Sequence, residues 1–100
     1  MDQQQLKQRE SQIQQEMSLL LVKIREANGI KNPFVVSQEL GQSTSTLRNI
    51  EKGLAFPTVK TLNELIQLYV MTLMEKQKVI DLKNEMMKVR RELKSLRGRK

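Results

Sequence analysis

Cysteine, histidine and tryptophan are all missing from the chain, and the first two absences close off whole classes of chemistry. Without Cys there can be no disulfide, thiolate metal site or cysteine nucleophile. Without His the usual zinc ligand and the commonest general base are gone. Carboxylates and lysines remain, but they show no pairing suited to acid–base work. The chain is therefore expected not to be an enzyme, with no catalytic residue, no cofactor and no metal ligand. Its glycines, Gly29, Gly41, Gly53 and Gly98, stand apart, so no glycine-rich phosphate loop is present. Long apolar runs are lacking too. Leu65 to Met74 is the most apolar stretch, broken by Gln67 and Thr72, and a membrane span needs about 20 residues. The polar start Met1-Asp2-Gln3-Gln4-Gln5 has no apolar core of a signal peptide. A cytoplasmic, nucleoid-associated protein with no membrane partner is expected.

What is there points to helices. Leu, Ile, Val and Met dominate the 38% hydrophobic content, Lys, Glu and Gln are abundant, and there are only two Phe and one Tyr. This is the profile of an all-α chain. Its 100 residues hold one small domain and an extension, and a domain this small buries only about 60% of its unfolded surface. The net charge of +7 is uneven: residues 75–100 carry ten Lys/Arg against four Asp/Glu, leaving residues 1–74 close to neutral.

Punctuation divides the chain into about five helices. The first runs from about Asp2 to Ala27 without Gly or Pro, with Ile13, Met17, Leu20 and Ile24 at helical spacing. Residues 1–16 form a Gln-rich helical arm, and its start is expected to fray as a solvated end or to touch DNA or a partner. Asn28-Gly29 stops this helix. Pro33 suits the first turn of a second helix carrying Phe34, Val36 and Leu40. Gly41-Gln42 breaks the chain again, and Ser43 caps a third helix from Thr44 to about Lys52, which Gly53 closes. Thr58 caps a fourth, with Val59, Leu62, Leu65 and Ile66. From about Thr72 to Arg97 no Gly or Pro intervenes, and Gly98-Arg99-Lys100 ends the last helix. The expected organisation is an arm over 1–16, a domain over 17–74 and a basic C-terminal helix over 75–100.

The second and third helices have the makings of a helix-turn-helix between Pro33 and Lys52. Such a pair needs a small residue where its helices cross and apolar residues to seat the second helix. Ser37, four residues before Gly41, supplies the first; Leu47 and Ile50 supply the second. Thr44, Ser45, Arg48, Asn49 and Lys52 are then expected to face outward. Arg can bridge the two acceptors of guanine, Asn the acceptor and donor of adenine, and Ser or Thr can reach phosphate or a thymine methyl. An exposed helix built only for solubility would carry Glu and Lys instead.

The stretch Ile24-Arg25-Glu26-Ala27-Asn28-Gly29-Ile30 and the run Val36-Ser37…Leu40-Gly41…Ser43-Thr44-Ser45-Thr46-Leu47…Ile50-Glu51-Lys52-Gly53…Pro57-Thr58…Leu62 resemble the lambda-repressor-like (Xre/Cro-type) helix-turn-helix family. The resemblance covers roughly Leu19 to Leu73. It implies that Thr44, Ser45, Arg48 and Asn49 read bases and that Glu51 pairs with Arg25. It also makes Lys31, Asn32, Ser43, Lys52, Thr58 and Lys60 phosphate contacts, which set register without reading sequence. Pro33 departs from the pattern, standing where the family often has Gln.

In the last helix Val79, Leu82, Met86, Val89, Leu93 and Leu96 recur at heptad spacing. In a parallel pair Glu85 would meet Arg90 of a second copy and Glu92 would meet Arg97, against one repulsive Lys78–Lys83 contact; an antiparallel pair would oppose like charges. The expectation is a parallel coiled coil carrying homodimerisation through these six residues, although so short a seam could also fold back on its own domain. The basic residues Lys88, Arg90, Arg91, Lys94, Arg97, Arg99 and Lys100 would keep the tail soluble or touch DNA backbone or an acidic protein partner. Together these features lead to a transcriptional regulator of double-stranded DNA, a homodimeric repressor of a phage, plasmid or mobile element reading an inverted repeat. The alternatives are a protein-interaction module serving replication, conjugation or a toxin–antitoxin pair, and a non-specific DNA binder using its basic tail.

Overall fold

A computed structural model describes residues 2–97 of the chain. It is all-α, with five helices and, among the described residues, no strand: α1 (Gln3–Ala27), α2 (Pro33–Leu40), α3 (Thr44–Glu51), α4 (Val59–Leu68) and α5 (Leu73–Arg97). The helix stop expected at Gly98 lies outside the described residues. α1 and α5 form a long antiparallel hairpin, and α2, α3 and α4 pack as a compact group against it. One apolar core runs continuously from Leu6 to Leu93. The boundary expected after residue 16 falls within the unbroken α1.

The N-terminal arm does not fray. Asp2 accepts the Gln5 N–H at 2.8 Å, and the Gln5 side-chain oxygen takes the Asp2 N–H at 3.1 Å. This capping box satisfies donors that would otherwise have no partner in the first turn. Leu6, only 1% exposed, belongs to the core. It stands one heptad before Ile13, so the apolar stripe of α1 begins two turns earlier than the expected one and continues through Met17, Leu21 and Ile24. Leu21 is buried and Leu20 only partly so.

The C-terminal seam is filled from within the chain. Val79, Leu82, Met86, Val89 and Leu93 are buried and Leu96 is partly buried, and α5 packs along α1. The expected parallel coiled coil between two chains is replaced by an antiparallel pair inside one chain. The flanking charges follow: Glu85 pairs with Arg9, Lys78 with Glu16 at 3.7 Å, and Arg90 with Glu10 at 3.1 Å. Lys78 and Glu85, expected to face a second copy, thus face α1, as does Arg90. The cause is the tether. A complementary stripe on the same chain acts at an effective concentration of about millimolar or more, which a second molecule cannot match at ordinary concentrations. Half-exposed ion pairs contribute only about 0.2–1 kcal/mol each, so they set the register while apolar burial supplies the stability.

Helix ends fall where the punctuation placed them. Gly29 follows the Asn28 cap with φ 74°, and Pro33 occupies the first turn of α2. Asn28 does more than end α1: its amide spans the Ile24 carbonyl (2.8 Å) and both backbone groups of Val70 (2.8 and 3.0 Å), tying α1 to the α4–α5 corner. Thr72 and Glu75 cap α5 reciprocally, at 3.0 and 2.9 Å.

Truncating Leu6 to Ala should cost about 2–4 kcal/mol in urea unfolding followed by circular dichroism. An unchanged midpoint would return the arm to a solvated end. Leu93→Glu places a charge in the hairpin and should lower the unfolding midpoint equally at low and high protein concentration. A loss that shrinks as concentration rises would instead locate the seam between chains.

Candidate nucleic-acid interface

α2 and α3 are eight residues each and joined by Gly41-Gln42-Ser43. Gly41 adopts φ 65°, the left-handed conformation this sharp turn requires, and the Gln42 N–H closes the end of α2 onto the Ser37 carbonyl at 3.0 Å. Ser43 then starts α3, its hydroxyl accepting the Thr46 N–H at 3.2 Å. Ser37 is buried where the helices approach, donating to the Phe34 carbonyl at 2.6 Å and meeting the Thr44 hydroxyl at 3.0 Å. Gln42 was not among the expected site residues, yet it pins the turn to α4 through Thr61 at 3.0 Å. Its place inside a glycine-marked turn is the one sequence signal for that role.

The inner side of α3 is apolar, with Leu47 and Ile50 buried. At about 100° per residue, Ser45, Arg48, Asn49 and Lys52 fall on the opposite side, and all four are exposed. Thr44 does not join them. It sits on the flank facing α2, half-buried, with its hydroxyl committed to Ser37. Its spacing of four from Arg48 suggested a shared face, but Glu51, seven residues on, marks its true direction: that side chain turns back to α1. Thr44 is therefore a positioning residue and not an outward one.

Arg25 and Glu51 lock α3 from behind. The Arg25 side chain, 7% exposed as a residue, donates through Nε to Glu51 at 2.7 Å and through Nη1 to the Ile30 carbonyl at 2.6 Å. The pair implied by the family resemblance is present. It joins the end of α1, the loop after it and the last turn of α3 through one guanidinium. Beside it Tyr69 is buried, its phenol pushed up from 10.0 to about 12 by burial first and the Glu51 carboxylate second, with Arg25 pulling the other way. From the far side, the Gln14 amide donates to the Gly53 carbonyl at 2.8 Å and holds the exit of α3 against α1.

The candidate phosphate contacts ring this helix. Lys31, Asn32, Ser43, Lys52, Thr58 and Lys60 are all exposed. Ser43 and Thr58 have their hydroxyls engaged as caps of α3 and α4, and Asn32 caps α2 through its oxygen at 3.3 Å, which leaves its NH2 group to donate outward. Pro33 and Arg48 line one open groove with Val22, Glu51 and Lys52, so the start of α2 lies beside the outer face of α3. The gap among Leu21, Val36, Leu47, Ile50, Glu51, Leu65 and Tyr69 measures about 10 Å³, space for one water at most, so this part of the core is not a ligand chamber. Among the described residues no group of three acidic side chains is placed to hold a metal, and no helix is long and apolar enough to cross a membrane.

Arg25→Ala should lower stability by about 3 kcal/mol, because Glu51 and the Ile30 carbonyl both lose a partner in a largely buried place; a change under about 1 kcal/mol in denaturant unfolding would show the pair to be idle. The phenol yields a pH dependence. The unfolded chain releases the Tyr69 proton near its ordinary value while the folded chain keeps it, so this contribution is whole below pH 10.0 and lost as pH climbs towards about 12. Tyr69→Phe should flatten that part of the stability curve, and equal slopes in wild type and variant would count against it.

In comparisons with known proteins, no family model, no curated protein and no solved structure matches this chain.

Proposed function

We propose that the chain is a sequence-specific DNA-binding transcriptional regulator whose α2–α3 pair works as a helix-turn-helix, with α3 in the major groove. The observation that carries this is the outer face of α3: Ser45, Arg48, Asn49 and Lys52 project together, with no acid among them, from a helix seated by Leu47 and Ile50 and locked by Arg25–Glu51. A surface that reads bases needs this combination, since flexible side chains discriminate only when their backbone is held still.

The chemistry follows from the groups. The planar fork of Arg48 suits the O6 and N7 acceptors of guanine, and the Asn49 amide suits N7 and the amino group of adenine. Ser45, at the front of the helix, can donate to a base edge or a phosphate. Lys52, Lys31 and Lys60 supply cations for phosphates on either side, and the Asn32 amide donates where Pro33 has no N–H to offer. Thr44 keeps the helix crossing in place through Ser37 and reads nothing.

In its finer form the proposal is a repressor of a phage, plasmid or mobile element, binding an inverted repeat as a homodimer. Two-fold related recognition helices would enter successive major grooves about 34 Å apart. The 79–96 seam is already filled by α1, so two copies meet through another surface or side by side on the DNA.

In vitro selection of random duplexes at near-physiological salt tests this. Enrichment of a half-site repeated in inverted orientation is the expected result; binding to every duplex alike, lost steeply with salt, would overturn it. On the selected site Arg48→Ala should weaken binding by about 1–3 kcal/mol and relax preference at one base pair, whereas an equal loss on random DNA would assign Arg48 to phosphate alone.

A further inference from the structure

One side of α1 carries amides in place of charges, and it is the side that borders the outer face of α3. Val22 lines one groove with Arg48 and Lys52. Seven residues earlier, Gln15 stands at the exit of α3, so close that a Cβ on Gly53 would meet its amide nitrogen at 2.6 Å. A helix advancing about 100° per residue puts Gln8, Ser11, Gln12 and Leu19 on this same outward side, turned from the α5 seam. All four are exposed, as is Gln15. Gln8, Ser11, Gln12 and Gln15 line one open groove, with Glu16 at its rim paired to Lys78 at 3.7 Å. The Gln12 oxygen accepts from Arg9 Nη1 at 3.3 Å, which leaves its NH2 group to donate outward. From Gln15 back to Gln8, amides thus extend the surface of α3 along α1 for about 10 Å, at 1.5 Å per residue.

We infer that Gln8, Gln12 and Gln15 donate hydrogen bonds to phosphates of the duplex, on the backbone bordering the groove that α3 enters. This rests on the DNA-binding role proposed for α3. Uncharged donors suit the place. Residues 1–74 are close to neutral in sum, so beyond Lys31, Lys52 and Lys60 their phosphate contacts fall to amides, hydroxyls and backbone N–H groups. Lysines at these positions would attract any polyanion from a distance, whereas amides act only at hydrogen-bonding range, in a register that α3 has already set. A second copy of the chain could also cover this side of α1. It would find Leu19, 68% exposed, and otherwise glutamine and serine, which lack the buried aromatic or Arg anchors that protein interfaces rely on. Continuity with Lys52 and Arg48 favours the duplex.

The full-length protein and the triple variant Gln8→Ala, Gln12→Ala, Gln15→Ala are to be compared on the selected duplex and on random duplex across a range of salt. Alanine keeps the helix, and circular dichroism melting checks that it does. Gln77→Ala, an exposed amide on α5, serves as the control and should match wild type. The triple variant should bind both duplexes about ten-fold more weakly, with its log–log salt slope unchanged, because a neutral donor displaces no counterion. In phosphate-ethylation interference, the phosphates beside the half-site should matter to wild type and not to the variant. Unchanged affinity would overturn the inference and leave a solvated face. A loss in which the salt slope falls too would also overturn it, since these residues would then be placing Lys52 and not holding phosphate themselves. So would a wild type that sediments as a dimer without DNA and a variant that sediments as a monomer, which would give the face to a second copy. Failure of the α3 proposal would look different: wild type would bind selected and random duplexes alike, with the loss at constant slope still present.

Discussion

α1 has two packing faces, and the burial of its apolar stripe against α5 is the constraint on which the rest of the structure depends. Leu6, Ile13, Met17 and Ile24 are fully buried, as are Val79, Leu82 and Met86 opposite them. Three helices of ten residues or fewer could not assemble a sufficient core alone, since short helices in water are marginal and gain their stability from packing. The hairpin supplies the surface they pack on. Its length, two helices of 25 residues, gives a long axis of 48 Å and extends the molecule beyond the small helices.

The second face of α1 is polar and directional. Gln14, Ser18 and Arg25 follow one another along it, and two of the three reach the neighbourhood of α3: Gln14 at the Gly53 carbonyl and Arg25 at Glu51. Ion pairing in a buried place adds little net stability compared with an apolar pair, because both charges must leave water. What it adds is geometry. A guanidinium donating to Glu51 and to the Ile30 carbonyl permits one rotation of α3 and one path for the loop before α2. The orientation of Ser45, Arg48 and Asn49 is therefore a consequence of contacts made on the opposite side of their helix.

The electrostatics divide in the same way. Within the hairpin, Arg9, Glu10, Glu16, Lys78, Glu85 and Arg90 neutralise one another across the helices. Beyond those pairs the surplus is positive and lies on the outer turns of α5, around α3 and at the start of α4. Charge that remains after internal pairing is the charge a polyanion would meet first, and it falls off over about 10 Å in ordinary salt, so its position matters more than its sum.

Local chemistry in the sequence determined the helices themselves. Asn28-Gly29, Pro33, Gly41-Gln42-Ser43, Gly53 and Thr58 act on their own neighbours through backbone angles and caps, so they mark boundaries without knowledge of the fold. The seating of α3 by Leu47 and Ile50 was legible for the same reason, being a matter of period within eight residues. Leu6 was legible in principle, one heptad before Ile13, but a run of glutamines masked the stripe. The tertiary structure alone decided which stripe met which. The α5 heptads fit a second copy of themselves or α1 equally well by pattern, and only the closure of the chain on itself selected α1. It also decided that Thr44 turns to Ser37, that Gln42 reaches Thr61 and that Arg90 lies over Phe56. Periodicity reports which residues want to be buried; the partner that buries them is settled by connectivity and proximity, which no window of sequence contains.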